Sequence, residues 1–211
     1  MLLLVPELPS SSPSTRILQA DHYFFLRLAM AAAKATADCA HGVEGSSVVT
    51  AMGFSCNEFG IRVSGLGDEW FVGPHADVEA ELFEGHSEDE ITWMGGESPI
   101  CETIGLGGFA QACAFPLQQY QGGSAAAMIE RNLEMYEITV GESPHFRIPA
   151  LDYRGTPTGI DVFRCLETGV MPVMDIGIAG RDGGQIGAGT VRAPRRCFEL
   201  AARAWERRYG A

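Results

Sequence analysis

With 211 residues, 46% of them hydrophobic and 20% charged, the chain can bury a sizeable core, which excludes disorder as its overall state. A net charge of -12 and a pI near 4.8 exclude a non-specific nucleic-acid binder, which needs a cationic face. Six scattered cysteines, with no CxxC pair and no zinc spacing, read as reduced thiols, mostly in the core, of a cytoplasmic protein.

The opening MLLLVPELP has no basic region before its apolar run, and Pro6 interrupts that run. It is too short for a signal peptide or a membrane span, so no membrane partner is expected. LPSSSPS over 8–14 reads as a linker. Residues 1–16 are therefore taken as a linker or the remnant of a missing N-terminal region, and 17–211 as one domain.

The clearest helix runs from Ile17 to Ala40, where Ile17, Asp21, Phe24, Leu28 and Ala32 recur at helical spacing. His41-Gly42 ends it, with Gly42 suited to a left-handed cap. SSVVTAMGF, EFGIRVSG and EWFVG then read as three strands with no helix between them, an antiparallel meander. The acidic stretch 74–96 reads as a surface excursion. SPICETIGLGGFAQACAFPL is expected to start a helix at Ser98-Pro99, and a further helix is expected over 124–137. HFRIPALDY reads as a strand, and TPTGIDVFRCLETG as a helix with a Thr cap, Pro at its first position and a Gly stop. VMPVMDIGIAG and QIGAGTVRA form a hairpin around RDGG, and a final helix runs from Pro194 to about Arg208 with Phe198, Ala202, Trp205 and Tyr209 on one face. This order is neither alternating βαβ nor all-β. The expected class is α+β, with short, mainly antiparallel strands rather than a doubly wound Rossmann sheet.

Four stretches carry candidate chemistry. Gly45, Ser46 and Ser47, in GVEGSS, combine backbone freedom with hydroxyl donors, as an anion cradle or as a plain turn. No Walker lysine follows, so the usual P-loop is excluded. In EFGIRVSGLGD, alternation places Arg62 and Ser64 on one strand face, as a substrate clamp or a solvated pair, with Glu44 and Asp68 as acid/base candidates or as partners of Arg62. ETIGLGGFA lacks the dinucleotide fingerprint and offers Glu102 and close-packing glycines, and Cys101 has no nearby histidine to activate it. Asp175, in an apolar strand, is costly unless paired or placed at a site. Gly187 and Gly189 allow close approach of a ligand or backbone, and Arg192 can reach an anion. Asp38, His41 and Glu44 have metal-like spacing, but the helix ends between them and no metal is expected. Fourteen arginines against the single Lys34 suit two-pronged recognition of carboxylate or phosphate, and a GC-rich genome would give the same bias.

HGVEGSSVVTAM, FGIRVSGLGDEWF, ETIGLGGFA, GTPTGIDVFRCLETG and DIGIAGRDGGQIGAGTVRAP, taken in order, resemble the YahG/YlbE-like family over about residues 20–202. The chain resembles only the C-terminal portion of these longer proteins, and its GIAGRDGGQ stretch is shorter and less basic than the family's usual loop. The resemblance implies an α+β fold. It also implies kinship with the AllG subunit of oxamate carbamoyltransferase, which works with FdrA and AllH in allantoin breakdown, part of purine degradation. That complex converts oxalurate and phosphate to oxamate and carbamoyl phosphate and needs no metal or redox cofactor. The implied partners are FdrA-like and AllH-like subunits, small anionic substrates and, for a homo-oligomer, further copies of the chain. The alternative reading is a non-catalytic scaffold or ligand-sensing subunit. The expectation common to the candidate stretches is that the loops after the first helix, before Asp68 and around Gly187 meet in one anion-receiving pocket.

Overall fold

The computed structural model describes residues 13, 24–55, 57–92 and 98–210. Its architecture is α+β: three small antiparallel sheets, with helices and 3-10 segments packed around and between them. Every pairing between named strands is antiparallel, so the sheet is not doubly wound.

Helix α1 (Phe24–Asp38) occupies the described part of the first predicted helix; its expected first residues, from Ile17, lie outside the described residues. It turns Ala33 and Ala37 onto Ile100 and Cys101, and their small side chains allow the close approach. Strands β1 (Val49–Phe54), β2 (Glu58–Val63) and β3 (Phe71–Pro74) form the expected meander, in the order β1-β2-β3. Phe59, Ile61 and Val63 are buried on one face of β2, as the alternation predicts.

The acidic stretch departs from a plain loop. Strand β4 (Val78–Leu82) lies within it and pairs with residues 187–191, carrying exposed acids along a sheet edge. Charged side chains on an edge strand discourage further pairing, which reconciles the acidic composition with the strand. SPICETIGLGGFAQAC, where a helix is expected to start at Ser98-Pro99, forms two 3-10 segments instead, Ser98–Ile104 and Gly107–Cys113. Between them Gly105 and Gly107 take φ of 84° and 61°, which breaks any regular helix.

Helix α2 (Gln118–Gln121) is a single turn, and α3 (Ala125–Glu137) is capped by the Ser124 hydroxyl, which accepts from the Ala127 N–H at 3.2 Å. Strands β5 (Thr139–Ile148) and β6 (Arg154–Ile160) form a two-stranded sheet. Here the Thr-Pro start expected for a helix lies inside β6. Helix α4 (Val162–Thr168) begins later, capped by Asp161, and stops at Gly169 with φ of 79° as predicted. Strands β7 (Val173–Ala179) and β8 (Gln185–Arg192) form the predicted hairpin. Helix α5 (Arg195–Tyr209) closes the chain, with Phe198 and Ala202 buried and Trp205 and Tyr209 packed against the core. Phe59, Phe109 and Phe198 have no exposed surface, and each contributes about 1.5–3 kcal/mol by burial.

Candidate functional site

The turn after α1 and the turn after β2 meet. Gly42 N–H donates to Ser64 O at 3.0 Å, Ser64 N–H to Val48 O at 2.8 Å, and Gly65 N–H to Ser46 O at 2.9 Å. The Ser64 hydroxyl donates to Ala40 O at 2.5 Å and accepts the Val43 N–H at 3.2 Å. Arg62 and Ser64 therefore point the same way, toward the end of α1, as strand alternation implies.

Arg62 is the centre of the resulting cluster. Its side chain is 15% exposed, and its guanidinium bonds His41 Nε2 at 2.8 Å and the Asp68 carboxylate. His41 Nδ1 bonds the Thr50 hydroxyl at 2.9 Å, and Thr50 sits where the β1–β2 register slips between Val49 and Ala51. The bulge thus aims a buried hydroxyl at the histidine. Trp70 offers its ring 5.8 Å from the guanidinium carbon, a cation–π contact. Asp68 is 94% exposed at its side chain and lies 3.5 Å from His41 Nε2, so one guanidinium nitrogen of Arg62, Nη2, is held both by a half-buried histidine and by a carboxylate in water. Asp38 belongs to the same surface: its Lys34 bond, followed by the charges of Lys34, Arg62 and His41, holds its carboxyl below the usual range.

The GVEGSS loop is pinned from behind. Trp205 Nε1 donates to Gly45 O at 3.0 Å, Tyr209 donates to Gly65 O at 2.6 Å, and Ser47 donates to Asp161 at 2.5 Å. Asp161 also caps α4 through the Arg164 N–H at 2.9 Å, so one carboxylate holds both a helix start and the loop. Several donors of this loop are spent within the protein: Ser46 N–H goes to Val43 O, and the Ser46 hydroxyl accepts the Val48 N–H. Glu44 is exposed on the same loop.

The remaining candidates lie elsewhere. Gly187 and Gly189 are in β8, where the space of a side chain is taken by the Glu79–Leu82 stretch of β4. Among the described residues no hydrogen bond or ion pair joins them to the Arg62 cluster. Arg192 bonds Glu134 at 2.6 Å and Met171 O at 3.1 Å, and lines a separate groove of about 360 Å³ with His75, Asp77 and Glu79. Asp175 belongs to a further polar group, accepting Gln111 Nε2 at 2.5 Å and Gln121 Nε2 at 3.0 Å, while Arg131 donates to Gln111 Oε1 at 3.1 Å. Burial raises the Asp175 pKa against those bonds. The three loops expected to converge are thus two that meet and one that is committed to a sheet.

Sequence reasoning gave His41 no place beside Arg62, and gave Thr50, Trp70, Trp205 and Tyr209 no part in the site. Periodicity marks Trp205 and Tyr209 only as a core face, because contacts across more than a hundred residues leave no local signal.

The comparisons with known proteins bear on this geometry. The family model for oxamate carbamoyltransferase subunit AllG matches residues 7–98, the stretch that contains the Arg62 cluster. The chain is 44% identical over 183 residues to the uncharacterized protein YahG of Escherichia coli, covering 86% of this chain and 39% of that protein. It is 42% identical over 190 residues to oxamate carbamoyltransferase subunit AllG of Escherichia coli, covering 89% of this chain and 45% of that protein. The chain belongs to the YahG/AllG family. It spans less than half the length of these two relatives. A crystal structure of a conserved protein of unknown function from Enterococcus faecalis superposes with a TM-score of 0.88 at 39% identity, over 96% of this chain and 52% of that one. The YahG/AllG fold seen here therefore recurs in an experimental structure. Among the described residues, no helix is long and apolar enough to cross a membrane.

Proposed function

We propose that the chain acts within a carbamoyltransferase assembly of the oxamate type, and that the Arg62 cluster receives one of its small anions. The observation that carries this reading is the pairing of a sequestered guanidinium with an almost fully exposed carboxylate at Asp68. An incoming carboxylate or phosphate can take the place of Asp68 on the fork of Arg62 without uncovering a buried charge, whereas His41 and Trp70 keep the fork in position. Ser64, Ser46 and Ser47 fix the loops around it, with Gly45 at their edge. Carbamoyl transfer from a ureide nitrogen to phosphate requires such anion clamps and a group to manage the nitrogen proton, a role open to Asp68 or Glu44 at this surface. The sequence similarity to AllG supplies the reaction class.

The test is reconstitution with FdrA-like and AllH-like subunits and measurement of carbamoyl phosphate formed from oxalurate and phosphate. Arg62→Ala is expected to abolish turnover with the assembly intact on gel filtration. Undiminished turnover would remove Arg62 from the site and favour the non-catalytic scaffold or ligand-sensing reading.

A further inference from the structure

Glu102 is a carboxyl group in an unfavourable place. It is 2% exposed, in the Ser98–Ile104 segment between α1, β1, β6 and β7, and the Gly105–Gly108 loop folds back over it. Its Oε1 accepts the Gly108 N–H at 2.9 Å, and its Oε2 has no partner. A methyl group on Gly107 would overlap Oε1, so the loop backbone lies directly across the carboxyl. The same loop is pressed on two further sides. A side chain on Gly105 would strike the Thr156 hydroxyl, itself buried without a partner, and one on Gly108 would strike Val173 O.

Among the described residues no ion pair joins Glu102 to a cation. Helix α1 carries Arg27, Lys34 and Asp38, the last two bound to each other, β1 carries no ionisable side chain, Arg154 of β6 is bound to Glu142, and Arg131 of α3 bonds Gln111. The neighbouring Cys101 thiol is pushed up to about 12 by burial and stays neutral. Asp175 of β7 is the ionisable neighbour whose field reaches Glu102, and it is an acid, so its charge opposes ionisation of Glu102. Burial, reinforced by the Asp175 side chain and opposed by the backbone N–H groups of Gly108, Glu102 and Asp175, pushes Glu102 up to about 8.

We propose that Glu102 and the Gly105–Gly108 loop form a proton-operated latch, closed while Oε2 carries a hydrogen and lifted when the ionised carboxylate must admit water. The loop is the part able to yield, because it is short, irregular and hinged at two glycines with positive φ, whereas the other walls are sheet and helix. Its lifting is felt beyond Glu102: Gly108 O accepts from Asn132 Nδ2 at 3.0 Å, and Ala112 N–H donates to Asn132 Oδ1 at 2.8 Å, which ties the loop to α3. The latch stands apart from the Arg62 cluster and does not depend on the function proposed for it.

Hydrogen exchange of the intact chain, corrected for the intrinsic pH dependence, tests this. Protection of residues 103–112 should fall with a midpoint near 8, with β5 and β6 unchanged. Glu102→Gln, whose amide imitates the protonated acid, should keep the segment protected throughout. Asp175→Asn, which removes the adjacent negative charge, should move the wild-type midpoint upward in pH if Asp175 helped ionisation and downward if it opposes it; the latch requires a downward move. A segment whose protection ignores pH, a Glu102→Gln variant that opens with the wild-type midpoint, or an unmoved or raised midpoint in Asp175→Asn overturns the proposal. The Asp175→Asn arm stands even where Glu102→Gln fails to fold.

Discussion

Arg62 shows how a single residue acquires a role from its neighbours. Strand alternation places it opposite the buried face of β2, but its use depends on His41 and Asp68, which meet at its Nη2. If Asp68 competes with an external anion, Asp68→Ala should raise phosphate or oxamate affinity several-fold in isothermal titration, whereas Arg62→Lys should bind poorly because a lysine offers a point charge instead of a fork. Equal affinity in wild type and Asp68→Ala would mean that no exchange takes place at the guanidinium. Gly107 gives a second residue-scale prediction. Its φ of 61° and the Glu102 carboxyl against it leave no room for a side chain, so Gly107→Ala should destabilise the fold by about 2 kcal/mol or more in urea denaturation. An unchanged midpoint would show that the loop is not closed over the carboxyl.

At the scale of elements, α5 is the support of the candidate site. Its apolar stripe packs on the core while Trp205 and Tyr209 reach the carbonyls of Gly45 and Gly65, one in each of the two converging loops. Tyr209→Phe removes one such bond with little change in volume and should cost about 1 kcal/mol, seen as a lower urea midpoint at unchanged m. It should also weaken anion binding at Arg62, an effect that a merely structural tyrosine remote from the site would not produce. The element boundaries show which local signals held. Ser124 and Gly169 mark a helix start and a helix stop as their chemistry implies. Thr156-Pro157 carries the same kind of start signal, yet it lies in β6, because pairing of Gly155 and Pro157 with β5 outweighs a capping preference of about 1 kcal/mol. The GLGG run likewise gives two 3-10 segments, since Gly105 and Gly107, at positive φ, fit tightly against Thr156 and Glu102, and Gly108 against β7.

At the scale of the whole molecule, Glu102 should leave a mark on the pH dependence of stability. Its folded pKa lies above the unfolded one, so the folded state holds the proton more tightly, and its contribution is fully present below the unfolded value of about 4.5 and lost as pH rises to about 8. Relative to Glu102→Gln, the wild type should therefore lose stability across that window, by an amount on the order of a few kcal/mol, with little further change above it. Asp38 works in the opposite sense: its lowered pKa adds stability that is present above the ordinary carboxylate value and lost in acid, modestly because the group is exposed to water. Parallel denaturation curves for wild type and Glu102→Gln at every pH would show that the carboxyl is not held protonated.

The α+β class, the opening meander, the β7–β8 hairpin, the terminal helix with its buried face and the shared side of Arg62 and Ser64 are legible in the sequence, because each follows from spacing within a few residues. That His41 and Trp70 flank Arg62, that α5 grips both loops, that Gly187 and Gly189 make way for β4, and that Glu102 lies sealed beneath a loop emerges from long-range packing alone. Those outcomes depend on segments far apart in the chain competing for the same space, and the local pattern of side chains does not record which segment fills it.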